Sequence, residues 1–413
     1  MSIIEFLDKN FEVWQFWREE KNTNRLVYRN GELISKTRTN SSGIAARVNG
    51  IYYFSTNQGE DKLKEIINPG KEVSNIKLSN SKGEYITRYD VDLEEVAKEI
   101  NYFLKDKNVI YELLVFKTER DYEFLNSNGA RVHQKLIYNG WYLTLIKKSF
   151  GKSAELHIRS LSCLYPVKPN FEEIQEKLDI LDKLVNAKMI KPQTTNLVLD
   201  PEITDLLIHE AYGHALERDL IELNDSVFSD KRPFLGEEIT MYENPLESIW
   251  GFYKYDDEGF PAKKKILIEN GEIKGFIEDG RYGEGGWGRK ENIHHPPIPR
   301  MACTVLEPGN YSKEELIEEA KNGYLLCGFS GGQVDTKKGD FMFKSSYAFY
   351  IKNGEISDIY KGVAFGGNIL TIGKKISMRS KDIIESYGGC GKNGQHVPVS
   401  SKCPYILIEN VKL

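Results

Sequence analysis

Residues 207–219 read LIHEAYGHALERD, and the second half of the chain is interpreted outward from them. His209 and Glu210 are followed by His214, so two imidazoles and a carboxylate fall within six residues of a helical segment. Imidazole is a good zinc ligand, and a glutamate beside the first ligand can deprotonate a metal-activated water, as on the H-E-x-x-H helix of metalloproteases. Here the spacing is one residue longer. Positions i and i+4 of an α-helix lie about 40° apart around the axis, whereas i and i+5 lie about 140° apart. Either one histidine alone binds metal, or the helix is deformed between them. A π-bulge would return the pair to roughly 50°. Gly213, which weakens a helix interior, favours the deformed helix. Regular α-helical bonding from Leu206 through Leu216 would exclude it.

Before this segment, NLVLD (196–200) reads as a strand. Asp200 is a suitable N-cap and Pro201 a suitable first helical residue, so the helix is expected from there to about Leu220. Leu206, Leu207 and Ala211 supply apolar packing, leaving the polar triplet to face a cavity or solvent. After Ser226 the pattern is mostly β. ILIENGEIKGF (266–276) and FYIKNGEISD (349–358) predict hairpins turning at Asn270-Gly271 and Asn353-Gly354. A helix is expected over Lys313–Lys321, and PYILIENVKL closes the chain as a strand.

The first half alternates helix and strand signals without an obvious site. A short helix is expected over Ile3–Asn10, and strand pairs turn at Asn30-Gly31 and Asn49-Gly50. A helix over Leu93–Leu104 and further strands between residues 108 and 162 follow. Apolar spacing in Phe171–Met189 predicts a helix joining two domains. The fold class read from this pattern is α+β. An N-terminal mixed α/β domain (1–190) precedes a β-rich, barrel or sandwich-like domain (191–413) that carries the metal-binding helix.

With 56 Lys+Arg against 61 Asp+Glu, the formal charge is −5, which argues against nucleic acid or an anionic membrane as principal partner. No run of about 18 apolar residues and no signal pattern occurs at MSIIEFLDKNFEVW, so a cytoplasmic protein is expected. Five scattered cysteines argue against a disulfide framework. Cys390 stands apart, because it lies among glycines in SYGGCGKNGQHVPV, where a thiolate could meet a metal. His133 and His157, in strands, are read as satisfied polar core residues. Glycine-rich stretches in the second half either serve bent strands or converge on a ligand.

The segment HEAYGHALERD closely resembles the HExxxH signature of the TldD/PmbA family of zinc metalloproteases. The resemblance continues through YDDEGFPAKKKILIENGEIKGFIEDGRYG (255–283), HHPPIPRMACTVLEPG (294–309), GFSGGQVDTKKGDFMFKSSYAFYIKNGEI (328–356) and CGKNGQHVPVSSKCPYILIENV (390–411), in the family's order. It covers most of residues 195–413, and more loosely SSGIAARVNGIYYF and EFLNSNGARV. The resemblance implies that His209, His214 and Cys390 bind one zinc per catalytic subunit, with Glu210 as the catalytic glutamate. Cys403 falls where the family commonly has other residues and is read as structural. In this reading Glu210 takes a proton from a zinc-activated water and passes one to the leaving amine. A developing oxyanion needs a further donor. His295, on a loop stiffened by Pro296, Pro297 and Pro299, is the candidate, with Tyr282, Arg300 and His396 as weaker ones. The resemblance also implies unfolded peptide substrates held extended along a sheet edge. It further implies a dimer, either of two copies or with a TldE/PmbA-like sister subunit. A non-catalytic peptide-binding or assembly subunit is the alternative, but it predicts loss of His209, Glu210, His214 or Cys390, and all four are present.

Overall fold

The computed structural model describes residues 1–56, 59–68 and 76–413. The fold is α+β, built on two large sheets. The first comprises β1 (Trp14–Arg29), β2 (Glu32–Val48), β3 (Ile51–Ser55), β4 (Lys82–Ile86), β5 (Ile110–Asn126), β6 (Arg131–Ser149) and β7 (Lys152–Ser162). Its order is β3-β2-β1-β5-β6-β4, with β7 also paired to β6. The long strands are joined by tight turns. Asn30 and Gly31 both have positive φ (50° and 87°), as do Asn49 and Gly50 (50° and 82°). Two consecutive positive φ values define the hairpin turn that asparagine-glycine favours.

The second sheet takes in β8 (Thr194–Leu199), β9 (Met241–Glu243), β10 (Lys265–Glu269) and β11 (Glu272–Ile273). A separate two-stranded piece, β12 (Gly288–Arg289) with β13 (Ile298–Pro299), lies between these and the rest. The sheet continues with β14 (Cys303–Leu306), β15 (Asn322–Asp335), β16 (Asp340–Lys352), β17 (Glu355–Lys361), β18 (Ala364–Asn368), β19 (Ile376–Lys392) and β20 (Gln395–Lys412). The main path runs β11-β10-β9-β14-β20-β8-β15-β16-β17, an open sheet rather than a closed barrel. β20 organises it: β19 pairs antiparallel with β20, while β14 and β8 pair with successive stretches, Ser400–Lys402 and Ile406–Lys412.

Helix starts follow their caps. Ser2 and Ser312 each form a reciprocal capping box with a glutamate three residues on, at the helices Ile3–Asn10 and Lys313–Ala320. Asp92 and Asn170 cap the helices Leu93–Leu104 and Phe171–Leu184 in the same way through side-chain oxygens. The helix Phe171–Leu184 does not stand between two separate cores. Its Ile174, Leu178 and Leu181 share one apolar cluster with Leu113, Leu143 and Ile158 of the first sheet and Leu325 and Leu407 of the second. A larger cluster fills the second half, with Leu207, Ile208, Ala211 and Tyr212 packed among strand residues such as Leu199, Leu326 and Ile406.

Candidate metal centre

The candidate metal-binding segment follows directly from β8. Asp200 accepts a hydrogen bond from the Ile203 N–H (2.9 Å) and caps a short α-helical turn, Pro201–Asp205. From Leu206 to Gly213 the backbone is π-helical, and the His214 N–H bonds back to the His209 carbonyl, five residues earlier. That bond absorbs the extra residue, and the two imidazole rings meet edge to face with centroids 5.2 Å apart. Glycine at position 213 also answers a packing limit. A Cβ there would lie 2.1 Å from Met301 Sδ and 3.1 Å from the Ile208 carbonyl oxygen, so a side chain would have to displace the buried Met301 thioether. The helix also ends earlier than Leu220. Glu217 turns extended (φ −73°, ψ 126°) and bridges to Ile277 before a second short helix, Arg218–Glu222.

Cys390 arrives from the other end of the sequence on β19. The turn into β20 is formed by Asn393 and Gly394, both at positive φ (50° and 73°), so CGKNGQ is itself a hairpin that holds Cys390 opposite Val397. Arg300, fully buried, donates to the Cys390 carbonyl and fixes that strand from behind. One ligand atom each from His209, His214 and Cys390 lies within 4.8 Å of the others, and Cys390 Sγ is 3.3 Å from His214 Nε2. Zinc–ligand lengths of about 2.0–2.3 Å place tetrahedral donors roughly 3.3–3.8 Å apart, which this set meets with little movement. His209 is 4% exposed, yet neither ring nitrogen has a hydrogen-bond partner. A buried imidazole without partners is costly, and a metal ion would satisfy it. Burial pushes the Cys390 thiol up, but the imidazoles of His214 and His209 outweigh it and hold it well below the ordinary thiol range. The thiolate is the form that binds metal. The residues therefore fit zinc.

Glu210 sits at the open side of this cluster. Its side chain is 44% exposed, with Oε2 3.7 Å from His214 Nε2. On the opposite side His214 Nδ1 is 2.8 Å from Glu217 Oε2, and Glu217 is completely buried. Burial raises the Glu217 carboxyl, but Lys392 and His214 overcome it and hold it at about 2. Lys392 Nζ bridges Glu217 (2.9 Å) and Asp219 (2.7 Å). Glu217, Lys392 and Asp219 were not singled out by the sequence. The signal for Lys392 is its position two residues after Cys390 on a strand, which gives both side chains one face.

The remaining candidates are engaged in other contacts. His295 Nδ1 is 3.1 Å from Asn292 Oδ1, an oxygen that also accepts from the His294 N–H, so Nδ1 carries the proton. The neutral ring then presents Nε2 as an acceptor. Arg300 is committed to Cys390, and Tyr282 packs under Arg281. The exposed His396 ring faces Gly389 and Gly391. His133 and His157 are not core residues. His133, part exposed, is held between Glu84 (2.9 Å) and Asp121 (2.8 Å), while His157 is exposed beside Thr144 and Glu155. Cys403 is buried, as are the other four cysteines, and none is paired.

Known proteins resemble this chain in sequence and in fold. Residues 192–413 match the PmbA/TldA metallopeptidase C-terminal domain. A metalloprotease of Methanocaldococcus jannaschii is 32% identical, with 97% of each chain covered. A zinc metalloprotease TldD homolog of Saccharolobus solfataricus is 32% identical over 52% of this chain and 51% of its own. The crystal structure of TldE from Thermococcus kodakarensis has the same fold, with a TM-score of 0.79 at 21% identity over 99% of this chain and 98% of that one. By domain match and full-length similarity, the chain belongs to the PmbA/TldD family of metallopeptidases.

Proposed function

We propose that the chain is a zinc-dependent metallopeptidase that cleaves unfolded or extended peptides, with residues 191–413 as the catalytic unit. The observation that carries this reading is the buried His209 ring with both nitrogens unpartnered, beside a thiol and a second imidazole within 4.8 Å. One zinc ion per catalytic subunit, held by His209, His214 and Cys390, would supply Lewis acidity toward a water and a peptide carbonyl. Glu210 is the proton acceptor. Its carboxylate is the exposed one at the cluster, 3.7 Å from a ligand nitrogen, so a water there lies within its reach. The same carboxyl then returns the proton to the departing amine. Glu217 keeps His214 in the tautomer with the proton on Nδ1, leaving Nε2 free to bind metal. His295 stabilises the developing oxyanion only as an imidazolium, because its Nδ1–H is committed to Asn292.

The reading extends to partners and place. A second copy or a TldE/PmbA-like sister subunit would complete the enzyme, a proposal supported by the shared fold with a TldE. A cytoplasmic setting is supported by five unpaired cysteines, since disulfides are rare in reducing compartments. Among the described residues no helix is long and apolar enough to cross a membrane. The deciding experiment pairs metal analysis with digestion of unstructured peptides by wild type and Glu210→Gln, with and without a sister subunit. Glu210→Gln is expected to retain one zinc and lose about 10²–10⁴-fold in turnover. Full activity in that variant would remove Glu210 as the base.

A further inference from the structure

A second cleft, of about 370 Å³, opens between the face of the first sheet and the β19–β20 hairpin. Its floor is aromatic. Trp250 meets Phe116 and Tyr138 edge to face, with centroids 5.9 and 5.4 Å away, and Tyr142 stacks on Phe116 at 5.9 Å. Its walls are basic. Lys21, Arg25, Arg120, Arg289 and Lys290 line it against a single carboxylate, Glu291, in a chain whose formal net charge is −5. Glu291 is itself engaged, its Oε2 accepting from the His396 N–H (2.8 Å).

Some of these cations are structural. Arg120 is bound to Glu19 and Asp257, and Arg289 donates to the Met301 and Pro398 carbonyls. Two, Lys21 and Arg25, are not used up in this way. Lys21 Nζ donates to the Glu291 carbonyl at 3.1 Å. Arg25 is exposed and makes no hydrogen bond or ion pair among the described residues. Lys290 is 1% exposed, and its Nζ has no hydrogen-bond partner, with the nearest carboxylate, Glu19, at 3.3 Å. Lys290 lies behind the cleft, paired with Glu19 and 5.4 Å over the Trp17 ring, so it adds positive potential there without an exposed donor. The fourth wall is Gly388 and Gly389, immediately before Cys390. Positions 389 and 391 face the His396 ring, so by strand alternation the cleft backs onto the ribbon whose other face carries the Cys390 thiol.

We propose that this cleft binds a carboxylate bearing an aromatic or large apolar group, with the ring on the Phe116–Trp250 floor and the carboxylate between Lys21 and Arg25. The C-terminal residue of a peptide and a free aromatic amino acid derivative share this chemistry, and only the first rests on the peptidase reading.

The test is calorimetric titration of the full-length protein, zinc-loaded and zinc-stripped, with N-acetyl-L-phenylalanine and with N-acetyl-L-phenylalaninamide. The acid is expected to bind at least about tenfold more tightly than the amide in both forms, since hydrogen bonds to a charged acceptor are stronger than those to a neutral one. Lys21→Gln/Arg25→Gln should remove that advantage and leave amide binding unchanged. Equal affinity for acid and amide, binding that requires zinc, or undiminished binding by the double variant would each overturn the proposal. Hydrolysis then identifies the source. If the double variant raises KM for a peptide ending in phenylalanine but not for its C-terminal amide, the occupant is the peptide end. If KM stays constant for both while acid binding is lost, the occupant is a free aromatic carboxylate. If no peptide is cleaved, the peptidase reading fails and the binding result stands on its own.

Discussion

Two clusters of buried polar groups in this molecule handle charge differently. At the junction of the two sheets, Arg47 meets Glu258 at 2.5 Å, Arg120 meets Asp257 at 2.7 Å and Glu19 at 3.0 Å, and Lys290 reaches Glu19 at 3.3 Å. Every charged group there has an opposite partner from the other half of the chain. At the π-helix, His209 is equally buried, but neither of its ring nitrogens is hydrogen-bonded and its neighbours are themselves metal-competent side chains, His214 and Cys390. Breaking a buried pair by removing one member is strongly destabilising, so the matched network holds the halves in register. Metal-competent side chains converging on one point do no such work, and a bound ion would account for their burial. Burial of charge thus separates into architecture and chemistry according to whether the partners are already present.

The largest expected effect tests the architectural side. Arg47→Met leaves the Glu258 carboxylate buried beside only the Gly280 N–H (2.7 Å), and should cost about 3–5 kcal/mol of unfolding free energy in urea. Arg47→Met/Glu258→Gln removes both charges but keeps an acceptor for Gly280, and should recover most of that loss. Zinc content should be the same in all three proteins. A zinc deficit in folded Arg47→Met would break the division, because the network would then be setting the metal site as well.

Next in size is an acid limb. Burial raises the Glu19 carboxyl, but Arg120 and Lys290 overcome it and bring the carboxyl from 4.5 down to about 2. A depressed folded value contributes stability above the unfolded value, and that contribution is lost as pH falls from about 4.5 through about 2. The shift corresponds to roughly 3 kcal/mol. Unfolding free energy measured from pH 6 downward should fall steeply in this window for wild type and less steeply for Glu19→Gln. Parallel curves would mean that Glu19 is not the group that couples the network to pH.

Local chemistry was legible in the sequence, and distant partnership was not. The Asn-Gly turns at 30, 49, 270 and 353 need only two residues to specify a hairpin, and all four are hairpins in the structure. The five-residue spacing of His209 and His214 is a local angular fact, so it led to the π-helix. Gly213 was read for its looseness, and its close approach to Met301 is a contact that no local pattern contains. Each link of the Glu19–Arg120–Asp257 network joins strands or turns more than a hundred residues apart. Its residues carry ordinary surface types, and only the pairing of the two sheets buries them. The open sheet, as against a barrel, has the same cause, since strand alternation is identical in both and closure depends on which edges meet.

The smallest effect probes the boundary between the two kinds of site, where Glu217 belongs to both. It bonds the ligand His214 (2.8 Å) and is also paired with Lys392 (2.9 Å), which in turn holds Asp219 (2.7 Å). A carboxylate on the far nitrogen of a metal-bound histidine raises its basicity and fixes its ring, and losing one typically costs about 10–100-fold in metal affinity. Glu217→Gln keeps the shape and an acceptor for the Nδ1–H, so only the charge is removed. Zinc affinity measured by chelator competition should fall by that factor, roughly 1.4–2.8 kcal/mol, and the ligand-field spectrum of the cobalt-substituted protein should shift. Asp219→Asn touches Lys392 but not His214, and should lower stability while leaving affinity and spectrum unchanged. If both variants behave alike, Glu217 serves Lys392 alone, and the matched network then extends up to the metal ligands.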